Sequence, residues 1–151
     1  MISIKTTKEI EIMRKAGKIL AEVLFAVIDQ VKPGISEIEL DKMAEKLIKE
    51  KGGQPGFKKV PGYRHTLCVA TNEVVVHGIP TKRILHEGDI IGLDCGVFLE
   101  GFHTDMAETV RVKNKELRIK NKELTNEEIV NILLKNRNIK TAHLSFYIFL
   151  F

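Results

Sequence analysis

The stretch "LDCGVFLEGFHTDMAE", residues 93–108, decides the reading of the fold. Runs of apolar and small residues flank Leu99, Glu100 and Gly101, the pattern of two antiparallel strands joined by a tight turn. Each run carries one acid, Asp94 before the turn and Asp105 after it. A two-residue turn at Leu99 and Glu100 sets the acids directly opposite each other, and a turn one residue later makes them diagonal neighbours. Side chains alternate with period two, so both registers keep the acids on one face.

Opposed side chains have Cβ atoms roughly 4.5–5.5 Å apart, and like charges there destabilise the pair. Asp94 also follows "DIIGL", a run that reads as a well-covered strand, where an unpaired carboxylate is costly or takes up a proton. A divalent cation relieves both penalties. Hard oxygen donors suit manganese, magnesium or cobalt, and a bridging carboxylate suits a dinuclear site. The alternative turns one acid to solvent or to an arginine such as Arg111. His77, in "VVVHGIPT" (74–81), reads either as an imidazole held at a cleft or as a core residue or a hydrogen-bond donor behind the ligands.

Outward from the hairpin, "LCVAT" (67–71), "VVVHGI" (74–79), "DIIGLDCGVF" (89–98) and "FHTDMAETVRV" (102–112) all read as strands punctuated by Gly, Pro and Asn. Two helices precede them. Ile10, Met13, Ile19, Leu20, Val23, Leu24, Val27 and Ile28 recur at helical spacing after Thr6 and Thr7, and Thr6 with Glu9 forms a capping-box pattern. Pro33 and Gly34 end that helix; Ser36 with Glu39 opens a second, through Leu40, Met43, Ala44, Leu47 and Ile48 to Gly52 and Gly53. Helices followed by a β-rich segment give an α+β class.

The chain of 151 residues is about one domain's worth, with net charge +4 and a pI of about 9.0. Acids and bases are interspersed, and no basic block alternates with aromatics, so the basicity gives little support to a nucleic-acid partner and no DNA partner is expected. The two cysteines, Cys68 and Cys95, are too few for a disulfide framework and read as reduced thiols of a cytoplasmic protein. The N-terminus lacks the apolar core of a signal peptide. The terminal "LSFYIFLF" falls short of the ~18–20 residues of a membrane span, so no membrane partner is expected.

"NEVVVHGIP" (72–80) followed by "GDIIGLDCGVFLEGFHTDMAET" (88–109) closely resembles the type I methionine aminopeptidases, metallopeptidases of the pita-bread fold. The resemblance extends upstream through "TLCVATNE", "VKPGISEIELD" and "IKTTKEIEIMRKAGKIL" and covers about the first 112 residues. It implies the first pseudo-symmetric half of that fold. It implies Asp94 and Asp105 as two ligands of a dinuclear centre, Asp105 bridging, with two divalent ions per complete site drawn from cobalt, manganese, iron, zinc or nickel. His77 would be the catalytic histidine that hydrogen-bonds substrate near the scissile peptide. Tyr63, Cys68 and Phe57 would line the pocket for the methionine side chain, plain core packing being the alternative for these three. Val60, in "KVPGY", stands where many members carry a pocket tyrosine.

The activity implied is removal of the initiator methionine from nascent proteins, whose N-terminal peptides are the partners, with transient association at the ribosome. The other readings are a non-catalytic binding module of the same fold and a proline-specific aminopeptidase. His103 shares the parity of Asp105 and reads as a partner behind the ligands or as a solvent-facing strand residue; His65 and His86 read as surface residues. The histidine and two glutamates that complete the family's metal site have no counterpart motif here. Past Val112 the composition turns to Lys, Asn, Ile and Leu. A divergent tail over 113–151 is expected, with a short helix from Thr125, and so is a truncated, weakly active or inactive chain.

Overall fold

The structure, a computed structural model, describes residues 4–113. The expected tail and its helix lie outside the described residues. Helix α1 spans Thr7–Ile28 and begins as its sequence dictates. The Glu9 N–H donates to Thr6 Oγ1 at 3.3 Å and the Thr6 N–H to Glu9 Oε2 at 2.7 Å, the reciprocal bonds of a capping box. Its stripe of Ala16, Leu20, Val23, Leu24 and Val27 is buried. Gly34, at φ +92°, then turns the chain into α2, Glu37–Glu50, where the Ser36 N–H donates to Glu39 Oε2 at 2.8 Å.

Four antiparallel strands follow: β1 (Gln54–Pro55), β2 (Leu67–Thr71), β3 (Ile90–Leu99) and β4 (Phe102–Arg111). β4 pairs along the whole of β3, while β1 and β2 follow each other along its other edge. Ile91, Leu93, Cys95, Val97 and Leu99 of β3, with Leu67 and Val69 of β2, enter the core against the helices. The other face of the sheet carries Cys68, Asp94, Gly96, Asp105 and Ala107, and neither helix packs on that face. An α+β fold with one face buried is thus obtained, as the patterning requires.

One expected strand does not form. Residues 74–79 form no strand: Asn72 (φ +52°) and His77 (φ +54°) reverse the chain, and Val74, Val75 and Val76 are exposed. A run of valines is a strand only where a neighbour offers it a pleated surface. Here the segment meets β2 by the Val69 N–H donating to the Gly78 carbonyl at 2.8 Å. A Cβ on Gly78 would lie 1.9 Å from the Val69 carbonyl oxygen, so glycine permits that close approach. The structure adds a 3₁₀ turn at Phe57–Lys59 and the two-residue β1, both too short to show a periodicity in the sequence.

The hairpin takes the later of the two registers. Glu100 (φ +47°) and Gly101 (φ +93°) form a two-residue turn of the type that requires positive φ at both positions. Glutamate is a poor occupant of the left-handed region, at about 1 kcal/mol. Its ion pair with Lys15, 4.0 Å long and more than half exposed on both sides, returns little. Glu100→Asn is therefore expected to stabilise the protein by about 0.5 kcal/mol, read as a higher urea midpoint with unchanged slope.

Candidate functional site

The register fixes the acid pair. Asp94 is paired with Ala107 and Asp105 with Gly96, so the two carboxylates are diagonal neighbours across β3 and β4. Both are half-buried and close enough to share a hydrogen bond. Burial, then the charge of Asp105 and the hydrogen bond to it, push Asp94 up to about 7, while a bond from the Cys95 backbone N–H pulls the other way. Arg111 does not neutralise the pair: its guanidinium donates to the Gly88 carbonyl at 3.3 Å. The repulsion anticipated from the sequence is present.

Around the acids the open face has two hollows. One, of about 340 Å³, is lined by Cys68, His77 and Asp94 together with Val74, Val75 and Val76. The other, of about 490 Å³, is lined by Phe57, Val60, His103 and Asp105. Cys68 pairs directly with Asp94 across β2 and β3. Burial first, then the charges of Asp94 and Asp105, raise its thiol above the ordinary range against a lowering bond to Tyr63, so it stays protonated. Tyr63 donates its hydroxyl to the Leu67 carbonyl at 2.7 Å, and burial followed by the Cys68 neighbour raises its own pKa. Phe57 meets Tyr63 edge-on at 6.4 Å between centroids. Its ring also covers Gly96, where a Cβ would come within 2.8 Å of it.

All six residues singled out from the sequence therefore lie on or beside this face: Phe57, Tyr63, Cys68, His77, Asp94 and Asp105. His77 reaches it from an exposed bend and not from the end of a strand, because the segment carrying it forms no sheet. His103 is exposed and packs on Phe98, its opposite number, at 4.8 Å. His86 is exposed as expected, but His65 is not a free surface residue: it is half-buried with Nδ1 3.4 Å from Asp41 Oδ2. Glu37 and Asp41 are also buried, and no motif in the sequence marks them. The signal lies in their position alone, since they fall on the same 3–4 spacing as Leu40, Ala44 and Ile48.

Two carboxylates on one face are hard oxygen donors and fit a divalent cation in kind. In number they fall short of a dinuclear centre, and among the described residues no group of three His, Cys, Asp or Glu side chains gathers for a metal. Among those residues, too, no helix is long and apolar enough to cross a membrane.

Comparison with known proteins gives these features a context. Residues 11–138 match the profile of Metallopeptidase family M24. Methionine aminopeptidase of Helicobacter pylori (strain ATCC 700392 / 26695) is 50% identical over 111 residues, 74% of this chain and 44% of that protein. The crystal structure of methionine aminopeptidase from Thermotoga maritima superposes with a TM-score of 0.72 at 39% identity, over 76% of this chain and 46% of that one. Prolidase from Pyrococcus furiosus follows at 0.62 and 25%, over 71% and 32%. Their common architecture is the pita-bread fold. The chain spans about half the length of the curated relatives it matches.

The acid pair has a consequence for pH. Asp94 keeps its proton in the folded state up to about 7 and, unfolded, loses it near 3.8. Between those values the folded state holds the extra proton, so this group costs stability increasingly as pH rises and fully above 7. In EDTA, Asp94→Asn is expected to gain urea resistance over the wild type as pH goes from about 5 to about 8. A constant difference between the two proteins across that range would contradict the shift.

Proposed function

The chain belongs to metallopeptidase family M24, and from that premise we propose that its acid pair serves hydrolysis of the first peptide bond of chains that begin with methionine. The diagonal pair of half-buried carboxylates beside an imidazole and an apolar hollow carries this reading. Divalent ions, two in a complete site, would supply an activated water and polarise the scissile carbonyl. Asp94 and Asp105 would contribute two of the carboxylate ligands that such a site needs. Their mutual repulsion is a reason to take up cations: each negative charge is stabilised by a cation and destabilised by the other carboxylate.

His77, on the rim of the hollow that contains Asp94, would donate a hydrogen bond to the substrate amide as charge develops there. Phe57, Tyr63 and Cys68 would form the walls that receive the methionine side chain, an apolar thioether suited to aromatic neighbours. Val60, more than half exposed at the rim of the second hollow, would leave it wider than a tyrosine would. The substrates would be nascent proteins in the cytoplasm, met at or near the ribosome.

The described residues supply two ligands, so the 151-residue chain is expected to bind Mn²⁺ weakly and to release methionine from a Met-Ala-Ser peptide slowly or not at all. Calorimetric titration with Mn²⁺ should show binding that disappears in Asp94→Ala and Asp105→Ala. A folded wild-type chain that takes up no Mn²⁺ would defeat the ligand assignment. Brisk methionine release lost in Asp94→Ala would overturn the expectation of low activity and assign the missing donors to residues beyond 4–113 or to a second copy. Wherever turnover is measurable, His77→Ala should reduce kcat by about 10²-fold and leave Mn²⁺ affinity unchanged.

A further inference from the structure

On the helix side of the sheet, away from the acid pair, lie two more carboxylates whose placement is expensive. Glu37 and Asp41 sit one turn apart on α2 and each is 4% exposed. A carboxylate at that depth destabilises the fold unless its oxygens are bonded. Both are. Glu37 Oε1 accepts from Thr71 Oγ1 at 2.7 Å, and Oε2 accepts from the Thr81 N–H at 3.0 Å and from Thr81 Oγ1 at 2.8 Å. Asp41 Oδ1 accepts from the N–H groups of Thr66 at 2.7 Å and Leu67 at 2.9 Å, with His65 Nδ1 beside Oδ2.

The donors stand at particular points of the chain. Thr71 is the last residue of β2, and Thr81 is where the excursion that carries His77 returns, so Glu37 ties together both feet of that excursion. Backbone bonds add to the second foot: the Ile38 N–H donates to the Thr81 carbonyl at 2.9 Å and the Glu37 N–H to the Arg83 carbonyl at 3.1 Å. Between the feet residues 72–77 are exposed, and the excursion meets β2 through Gly78. Asp41 grips the other end of the same strand. Leu67, whose N–H it receives, gives its carbonyl to the Tyr63 hydroxyl, so the ring of Tyr63 is placed through Asp41.

We infer that Glu37 and Asp41 are positioning residues with divided tasks: Glu37 sets the height of His77 over the open face, and Asp41 sets the Tyr63 and Cys68 wall. The inference rests on the proposed roles of His77 and Tyr63. Neither acid touches the open face. A helix-dipole role would account for a glutamate in the first turn of α2, but it requires no bonds to Thr71 and Thr81, ten residues apart in the chain.

Amide hydrogen exchange followed by NMR on the full chain tests the division without requiring turnover. In Glu37→Ala the amides of Val69 and Val74, bonded to the Gly78 and Thr71 carbonyls, should exchange at least about tenfold faster, while Leu93 and Cys95 in the centre of the sheet keep their protection. Glu37→Gln, which keeps an acceptor, should restore most of the protection. Asp41→Ala should instead loosen the Tyr63 amide, bonded to the Val60 carbonyl, and leave Val74 as it was. Uniform loss of protection over the sheet, or the same amides affected by both acids, would overturn the inference. If the alanine variants do not fold, Glu37→Gln and Asp41→Asn carry the same comparison at smaller amplitude. Where methionine release is measurable, Glu37→Ala should lower kcat with little change in KM, Glu37→Gln should recover most of that loss, and Asp41→Ala should raise KM; equal effects of both acids on both constants would again overturn it. A wild type without turnover would count against the proposed function alone, because the exchange pattern decides the positioning roles independently.

Discussion

Two residues with positive φ, Glu100 and Gly101, set the geometry on which the site depends. A two-residue turn leaves no freedom in how β3 and β4 pair, and a slip of one residue would send every side chain of one strand through the sheet. With the turn where it is, Leu93, Cys95 and Val97 face the helices and Asp94 and Asp105 face away from them. Burial of the first set and placement of the second are therefore one event. The hydrophobic pattern enforces it, because the opposite assignment would bury both acids in the core and expose the leucine and valines.

That coupling explains why the acid pair was readable from the sequence while its surroundings were only partly so. Alternation and turn chemistry are local, and they put the two aspartates on one face whichever central pair the turn used. The capping boxes at Thr6 and Ser36 were legible for the same reason, since each is complete within four residues. The segment 74–79 reads as a strand and forms none, because β-branched residues make a strand only through the neighbours they pack on, and those neighbours are set by tertiary structure. His77 reached the site all the same, carried by two backbone reversals that the valines concealed. His65 shows the same failure from another side. Its partner, Asp41, is 24 residues away, and no short-range pattern relates them.

The sheet's two faces also divide the energetics. The face against α1 and α2 holds the apolar side chains that stabilise the fold, Leu93 and Val97 among them fully buried. The open face contributes repulsion, with Asp94 held well above the usual carboxylate range by burial and by Asp105. A protein whose stability comes from one face can tolerate a poor electrostatic arrangement on the other, and such an arrangement is what a cation rewards. Its destabilising character and its capacity to bind thus have one cause.

The buried acids of α2 extend this logic through the sheet. Hydrophobic contacts are non-directional and allow a loop to settle in several ways, whereas a carboxylate with three donors around it accepts few arrangements. Glu37 and Asp41 apply that selectivity where the open face lacks regular structure, at the two ends of β2, from which the His77 excursion and the Tyr63 turn depart. Desolvating both acids costs more than leucine would at the same positions. What the cost secures is a fixed path for backbone that lies outside the regular pairing of the sheet and meets β2 at Gly78, so part of the precision of the open face originates in a helix that never reaches it.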